Sequence, residues 1–410
     1  MKVFNAFDTE LRYNLLILFT AGLLFWSSVA SLLPTLPLYL EYVGATKQQI
    51  GIVTGSFAVG LLLTRPMLGR LADERGRKLV LLIGTIVAAI APFGYLATQG
   101  IGQLILVRIF HGISLAAFTT GYSALIADLA PSEKRGEVIS YMSLATPIGL
   151  AVGPALGGFL QATTTYGVLF LFSAELGFVA LLAIVQVTNP PLQTQERTPD
   201  NNHKFWQILN SPRVRVPTLI MLLVGLSVGT VHTFVSLFIK STQINFNGGL
   251  FFTIAAISSF STRVFAGKAS DRFGRGLFIT FGIICYVLAL LLLWQANNVS
   301  SFLLAAIFEG SGSGTVISMI VTMMADRSLP QERGRIFAIC VTGFDLGIAI
   351  AAPILGSIAE QVGYRSMFGY GAAITFVALM IFFTKSSKDL SQSLRFALGR
   401  APDTYALNKL

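Results

Sequence analysis

Residues Gly69 to Lys78 read GRLADERGRK, a knot of charge between two long apolar runs, and Gly267 to Gly276 read GKASDRFGRG. Thr64-Arg65 before the first copy is matched by Thr262-Arg263 before the second. The displacement is constant, because 267 − 69, 271 − 73, 274 − 76, 275 − 77 and 263 − 65 all give 198. A second element keeps the same step: Ala127-Asp128 with Glu133-Lys134-Arg135-Gly136 returns as Ala325-Asp326 with Glu332-Arg333-Gly334. A period near half the chain is too long for a solenoid repeat and signals duplication of a large unit.

The unit that was duplicated belongs in lipid. Apolar residues make up 54% of the 410 positions and charged residues 12%, where a soluble domain carries about a quarter. Apolar runs of roughly 20 residues, enough to cross about 30 Å of hydrocarbon, fill most of the chain. A soluble core of this composition lacks the polar surface to cover itself. The first run follows a mixed-charge start, MKVFNAFDTELRYN, is too long for a signal peptide and has no small-residue cleavage site after it, so it is expected to be retained. Cys285 and Cys340 sit inside apolar runs, which argues against a structural disulfide. The net charge of +10 comes from basic residues scattered among short loops, a pattern that points to membrane topology and not to nucleic acid.

Twelve helical spans are predicted, at Tyr13–Tyr39, Gln49–Met67, Lys78–Ala97, Leu104–Leu129, Val138–Gln161, Val168–Val187, Pro217–Ile239, Gly249–Ala266, Leu277–Gln295, Ser301–Ala325, Ile336–Glu360 and Ser366–Phe383. None alternates with period two like a barrel strand, so the expected class is all-α integral membrane. Residues 1–187 form one six-helix half, 188–216 a linker marked by Pro190-Pro191, 217–384 the second half and 385–410 a tail. Lys and Arg crowd the loops on the side of the N-terminus, including Arg65, Arg70, Arg197 and Lys204 and, in the tail, Lys385 and Lys409. The opposite loops offer only Lys47, Lys240 and Arg365. Both termini and the linker are therefore expected in the cytoplasm. The tail from Ser386 is expected to be a solvated end, the alternative being a short interfacial helix with Leu390, Leu394 and Leu398 at a spacing of four.

Two six-helix halves with a G-x-x-x-D-x-x-G-R signature in each resemble the major facilitator superfamily, over essentially the whole chain. Glu74 departs from the family's usual basic residue, whereas Arg272 in the second copy fits it. The resemblance implies a switch in which Asp73 meets the start of span eleven across the domain interface in the outward-facing state, and Asp271 meets span five. Gly69, Gly76, Arg77, Asp128, Gly267, Gly274, Arg275 and Asp326 complete the expected switch. Read physically, Asp128 and Asp326 end their helices near Arg77 and Arg275, and Gly69 and Gly76 permit close approach and a tight turn. The plainer alternative is that these charges only set topology.

Four further features narrow the function. Span four carries Arg108, His111 and Gly112 in RIFHG; an Arg this deep must face protein, a carboxylate or a wet cavity. It resembles the family's span-four Arg associated with proton transfer, with His111 on the same face; the alternative is an Arg satisfied by carbonyl oxygens or by Glu175. Span five carries GLAVGPALGG, where Gly149, Gly153, Gly157 and Gly158 offer a smooth face and Pro154 invites a kink. That pattern resembles the superfamily's antiporter motif, and a bland packing face is the alternative. Pro34 and Pro37 in LLPTLPLYL resemble an element of twelve-helix drug and metabolite exporters. Glu175, His232, Glu309 and Asp345 are the remaining ionisable groups inside spans, with Asp345 and Glu309 the better proton carriers and Glu175 a structural partner of Arg108 or another polar group.

Neither a Cys/His metal pattern nor a G-x-S-x-G nor a nucleotide-binding G-x-x-x-x-G-K-[ST] is present, so no enzyme activity, cofactor or metal is expected and a gradient must supply the energy. One pH unit is worth about 1.4 kcal/mol per proton, and 100 mV about 2.3 kcal/mol per charge. The expected function is a proton-coupled exporter of a small organic molecule, working as a monomer by alternating access. Its cavity would be lined by spans one, four, seven and ten; Phe25, Trp26, Phe110, Phe118 and Phe234 offer apolar surface, and the sequence does not say which of them line it. A proton symporter that imports a sugar or other metabolite is the runner-up, and a non-transporting sensor or scaffold the third reading. Expected partners are substrate, protons and the bilayer, without nucleic acid.

Overall fold

The computed structural model describes residues 7–131, 134–188, 207–329 and 332–407. Glu133, Arg197, Lys204, Lys409 and most of the expected linker lie outside the described residues. Among those described, all regular structure is helical. The first eight helices are α1 (Thr9–Ser31), α2 (Leu36–Tyr42), α3 (Lys47–Arg75), α4 (Arg77–Ala97), α5 (Ile101–Leu129), α6 (Arg135–Met142), α7 (Ala145–Thr163) and α8 (Tyr166–Gln186). After the linker come α9 (Pro212–Ser241), α10 (Gly248–Phe273), α11 (Arg275–Trp294), α12 (Val299–Asp326), α13 (Arg333–Lys385) and α14 (Leu390–Ala397).

Eleven continuous stretches are long and apolar enough to cross a membrane, and the last of them, α13, is two spans joined at Gly363, whose φ of +80° is not helical. That makes twelve, in a multi-pass integral membrane protein. Two spans are broken by their sequence. Pro34 and Pro37 lack the N–H groups a continuous helix needs, so the first span splits between α1 and α2, and the Thr35 hydroxyl donates to the Ser31 carbonyl at 2.9 Å. The fifth splits between α6 and α7 at Ser143 and Leu144. Side-chain caps start α1 and α12: Asp8 accepts from the Leu11 N–H at 2.8 Å and Asn298 from the Ser301 N–H at 2.9 Å.

The chain packs as two compact units. The first holds α1, α2, α3 from Ile52, α4 to α8 and the segment Asn247–Thr253; the second holds Thr46–Gly51, α9, and the chain from Ile254 onward. In the first, α1 packs on α7 and α8 while α4 packs on α5 and α8. Leu15, Leu18 and Phe25 meet Phe118, Tyr122 and Ile184 in its core, with the Phe25 and Phe118 rings stacked at 3.8 Å. In the second, α9 lies along α13, and α11 packs on α12 and α13. Phe25, Phe118 and Phe234 are fully buried. Phe110 is exposed.

The tail corrects an expectation, since it is folded to Leu407. Phe396 and Ala397 of α14 are buried, and the Thr280 hydroxyl of α11 donates to the Ala397 carbonyl at 2.9 Å. Arg327, just after α12, is fully buried. Its guanidinium donates to both oxygens of Asp403 at 2.7 and 3.0 Å, and to the carbonyls of Ser386 and Arg213 at 3.0 and 3.1 Å. Removing one partner of a buried pair costs about 3–5 kcal/mol because the other charge is left uncompensated. Asp403→Asn should therefore free the tail and speed tryptic cleavage after Arg395 and Arg400 of the full chain by about tenfold or more. Cleavage at the wild-type rate would mean the pair does not anchor it.

Candidate functional site

The repeated charged stretch is mostly helix and not loop. It continues α3 through Arg75, turns on Gly76 alone and enters α4 at Arg77. Gly76 has φ +104° and ψ 152°, and Gly274 repeats this at +87° and 142°, a region that L side chains rarely adopt. Gly69 and Gly267 meet no such demand: a Cβ on either would have no heavy atom within 4 Å, against the expected close approach. Arg77 pairs with Asp73 one turn earlier and with Asp128 at the end of α5, the latter at 3.3 Å. In the second unit Arg275 pairs with Asp271 at 3.3 Å and with Asp326 at the end of α12. Each arginine thus ties two helices at one end of its unit. The second network also borders a cavity of about 510 Å³ between Ser270–Arg275 and the tail.

Deeper in the first unit, Gly60 and Gly112 let α3 and α5 touch backbone to backbone; a Cβ on Gly112 would strike the Phe57 carbonyl, and one on Gly60 the Ile109 carbonyl. This close approach lays the Phe57 ring over Arg108, with the guanidinium 4.4 Å from its centroid. His111 is fully buried, its Nδ1 lies 3.0 Å from the Tyr95 hydroxyl of α4, and the Tyr39 hydroxyl donates to the Tyr95 carbonyl at 2.9 Å. Arg108 Nε and His111 Nε2 are buried and meet no hydrogen-bond partner among the described residues. Among those residues Arg108 also forms no ion pair with a carboxylate of its own unit. Glu175, the expected partner, sits on the exposed face of α8 amid Leu171, Phe178 and Leu182, because the buried face of that helix is Leu169, Phe170, Ser173, Ala174 and Gly177.

The second unit repeats the scaffold and changes the chemistry. A Cβ on Gly310 would strike the Ala255 carbonyl, as Gly112 meets Phe57, and both residues are displaced by 198 (310 − 112 and 255 − 57). The position of His111 is taken by Glu309, that of Arg108 by Ala306 and that of Phe57 by Ala255. Glu309 is 4% exposed, and its carboxylate lies 3.8 Å from Nε2 of His232 on α9. That separation is beyond hydrogen-bond range, and the pair is an ion pair only when His232 carries a proton. Asp345 is half-buried on α13.

On α7, the glycine face is taken by α1 of the same unit. A Cβ on Gly149 would meet Trp26, one on Gly153 the Ser27 carbonyl, and one on Gly157 the Ser31 carbonyl. The motif also meets the segment Asn247–Thr253, at Ala151, Pro154 and Gly158. The Asn247 amide donates to the Gly158 carbonyl at 3.0 Å, the Thr253 hydroxyl donates to the Ala151 carbonyl at 2.8 Å, and the Pro154 carbonyl abuts Gly249. The smooth face is therefore a packing seam inside one unit.

Tyr95 and Phe57, which hold His111 and Arg108, were not singled out by sequence reasoning. A tyrosine inside an apolar span was the available signal, because its hydroxyl needs a polar partner there. Phe57 gives none, since it reads like any other lipid-span phenylalanine.

The Major Facilitator Superfamily model matches residues 18–267 and 243–403. The quinolone resistance protein NorA of Staphylococcus aureus (strain MSSA476) is 27% identical over 302 residues, which is 71% of this chain and 76% of that protein. The multidrug resistance protein MdtG of Klebsiella pneumoniae (strain 342) is 24% identical over 98% of this chain and 100% of its own length. Among solved structures, a point mutant of the nucleoside transporter NupG superposes with a TM-score of 0.79 at 16% identity, covering 90% of this chain and 98% of NupG. A bacterial homologue of the lysosomal transporter Spinster, inward-facing and unoccupied, gives 0.73 at 15% identity over 99% and 100% of the two chains.

Proposed function

Since the chain belongs to the Major Facilitator Superfamily, a family of membrane transporters, we propose that it is a secondary active transporter that exports a small organic compound in exchange for protons by alternating access. The observation that carries proton coupling is the Glu309–His232 pair: a carboxylate 4% exposed, deep in a transport unit, with a second titratable group 3.8 Å away. A lone charge in such a place costs several kcal/mol, so gaining or losing the proton biases which packing of the unit is favoured. Arg108 and His111 in the first unit are the complementary polar centre, with Asp345 a further carboxylate on α13. Export is supported by the names of NorA and MdtG and by Pro34 with Pro37. Both termini are placed in the cytoplasm on the Lys and Arg bias.

A fluorescent quinolone is the first probe, on the strength of the NorA likeness. Everted vesicles with an acidic lumen should accumulate it, and dissipating the pH gradient should release it. Accumulation instead in right-side-out vesicles, driven by outside acid, would establish uptake by symport.

Asp73→Asn tests the switch. The Asp73 side chain is 62% exposed, and an exposed pair contributes only about 0–1 kcal/mol, so insertion and thermal stability should match the wild type. Transport should nonetheless fall by about tenfold, since the carboxylate is proposed to bias one of two conformations by about 1.4 kcal/mol. Wild-type turnover in this variant would reduce the charged stretch to a topology signal.

A further inference from the structure

The tail helix α14 presents three surfaces. At roughly 100° per residue, Leu390, Leu394 and the C-cap residue Leu398 fall within about 80° of arc. Ser393, Phe396 and Ala397 flank them on one side, and Arg395 on the other. The flanking set is the buried one: Phe396 packs on Phe382 with ring centroids 6.0 Å apart, and its carbonyl backs onto Gly276 at the start of α11. The leucines are 56%, 38% and 45% exposed although α14 is folded against its unit. Four exposed cations, Lys385, Lys388, Arg395 and Arg400, surround them, and among the described residues none forms an ion pair. Asp389, the one carboxylate in the stretch 385–400, is occupied as the helix cap, accepting from the Gln392 N–H at 2.8 Å.

The helix docks where the apolar spans end. Gly276 and Thr280 lie in the first two turns of α11, and Phe382 lies in the last turn of α13. That level is where hydrocarbon gives way to headgroups, so the exposed leucine stripe has acyl chains within reach and the cations have phosphates. We propose that α14 is a membrane-interface helix that sets Leu390, Leu394 and Leu398 into the bilayer surface while Lys385, Lys388, Arg395 and Arg400 bind the headgroups of anionic lipids. This reading is independent of the direction or coupling of transport.

The test uses the full chain with Trp26, Trp206 and Trp294 changed to Phe, reconstituted in phosphatidylcholine vesicles with and without about 30 mol % phosphatidylglycerol. Leu394→Trp, at an exposed position, should be quenched about twofold more strongly than Glu137→Trp by lipids brominated near the headgroup end of the acyl chain. Phosphatidylglycerol should strengthen that quenching. Changing the four cations together to Gln should remove the phosphatidylglycerol effect, while melting temperature stays unchanged. Leu394→Trp that is quenched no more than the Glu137→Trp reference overturns the proposal. If it is also shielded from aqueous acrylamide, the stripe faces another protein surface. Quenching indifferent to phosphatidylglycerol overturns the headgroup assignment.

Discussion

Glu309→Gln abolishes transport driven by an imposed pH gradient, a loss of at least about tenfold, while the protein inserts and melts as the wild type does. Glutamine keeps the shape and hydrogen-bonding capacity of the side chain but cannot take up or release a proton in this range. Glu309 is 4% exposed and faces His232 at 3.8 Å, so the substitution removes one member of a titratable pair without opening a cavity. Substrate exchange without a gradient should persist, because it needs the conformational cycle but no net proton movement. Asp345→Asn is the matched control, since Asp345 is half-buried on α13. Measuring gradient-driven uptake and gradient-free exchange in both variants separates the roles. Full gradient-driven transport in Glu309→Gln would pass the proton role to Asp345.

Gly153→Leu destroys the fold of the first unit before it touches the transport cycle. A Cβ at Gly153 would stand 2.5 Å from the Ser27 carbonyl oxygen and 3.0 Å from Ala30 Cβ, both on α1. Even Gly153→Ala must push α1 away, at a cost of about 1–3 kcal/mol typical of overpacking, so alanine is not the mild substitution that a merely smooth face would allow. Leucine adds three more carbons to a seam with no room. The yield of monodisperse protein should collapse for leucine and the melting temperature should fall for alanine. Gly102→Ala, with no heavy atom within 4 Å of its Cβ, should melt within about a degree or two of the wild type. Normal melting of Gly153→Leu would mean that α1 and α7 do not lie against each other as described.

The two variants probe what each level of description reached. The displacement of 198 between the charged stretches is visible in the letters, and its three-dimensional counterpart is the paired positive φ of Gly76 and Gly274 and the paired backbone contacts of Gly112 and Gly310. Duplication preserves backbone contacts because only glycine can make them, so register in sequence becomes register in space. The same step identifies Glu309 as occupying the place of His111. Its partner His232 was visible only as one more polar residue on another helix, since no spacing rule links residues 77 positions apart (309 − 232).

Hydrophobic length, the near absence of charge inside the spans and the asymmetry of Lys and Arg are one-dimensional quantities, because the bilayer acts on each helix by its transfer energy. Span number and fold class were therefore determined by the sequence alone. Which face of a span turns inward is settled by its neighbours. Glu175 faces outward because α8 spends its small residues on packing, Phe25 and Phe118 stack in a core because α1 and α5 meet there, and the span-five glycines serve α1. The tail shows the same division most plainly. Its spacing of leucines reads as an amphipathic helix in any setting, but its anchorage rests on Arg327, a residue 76 positions from Asp403 that looks like one more loop cation until folding buries it completely. Burial makes that charge dependent on a single carboxylate, and only the tertiary structure decides which one it finds.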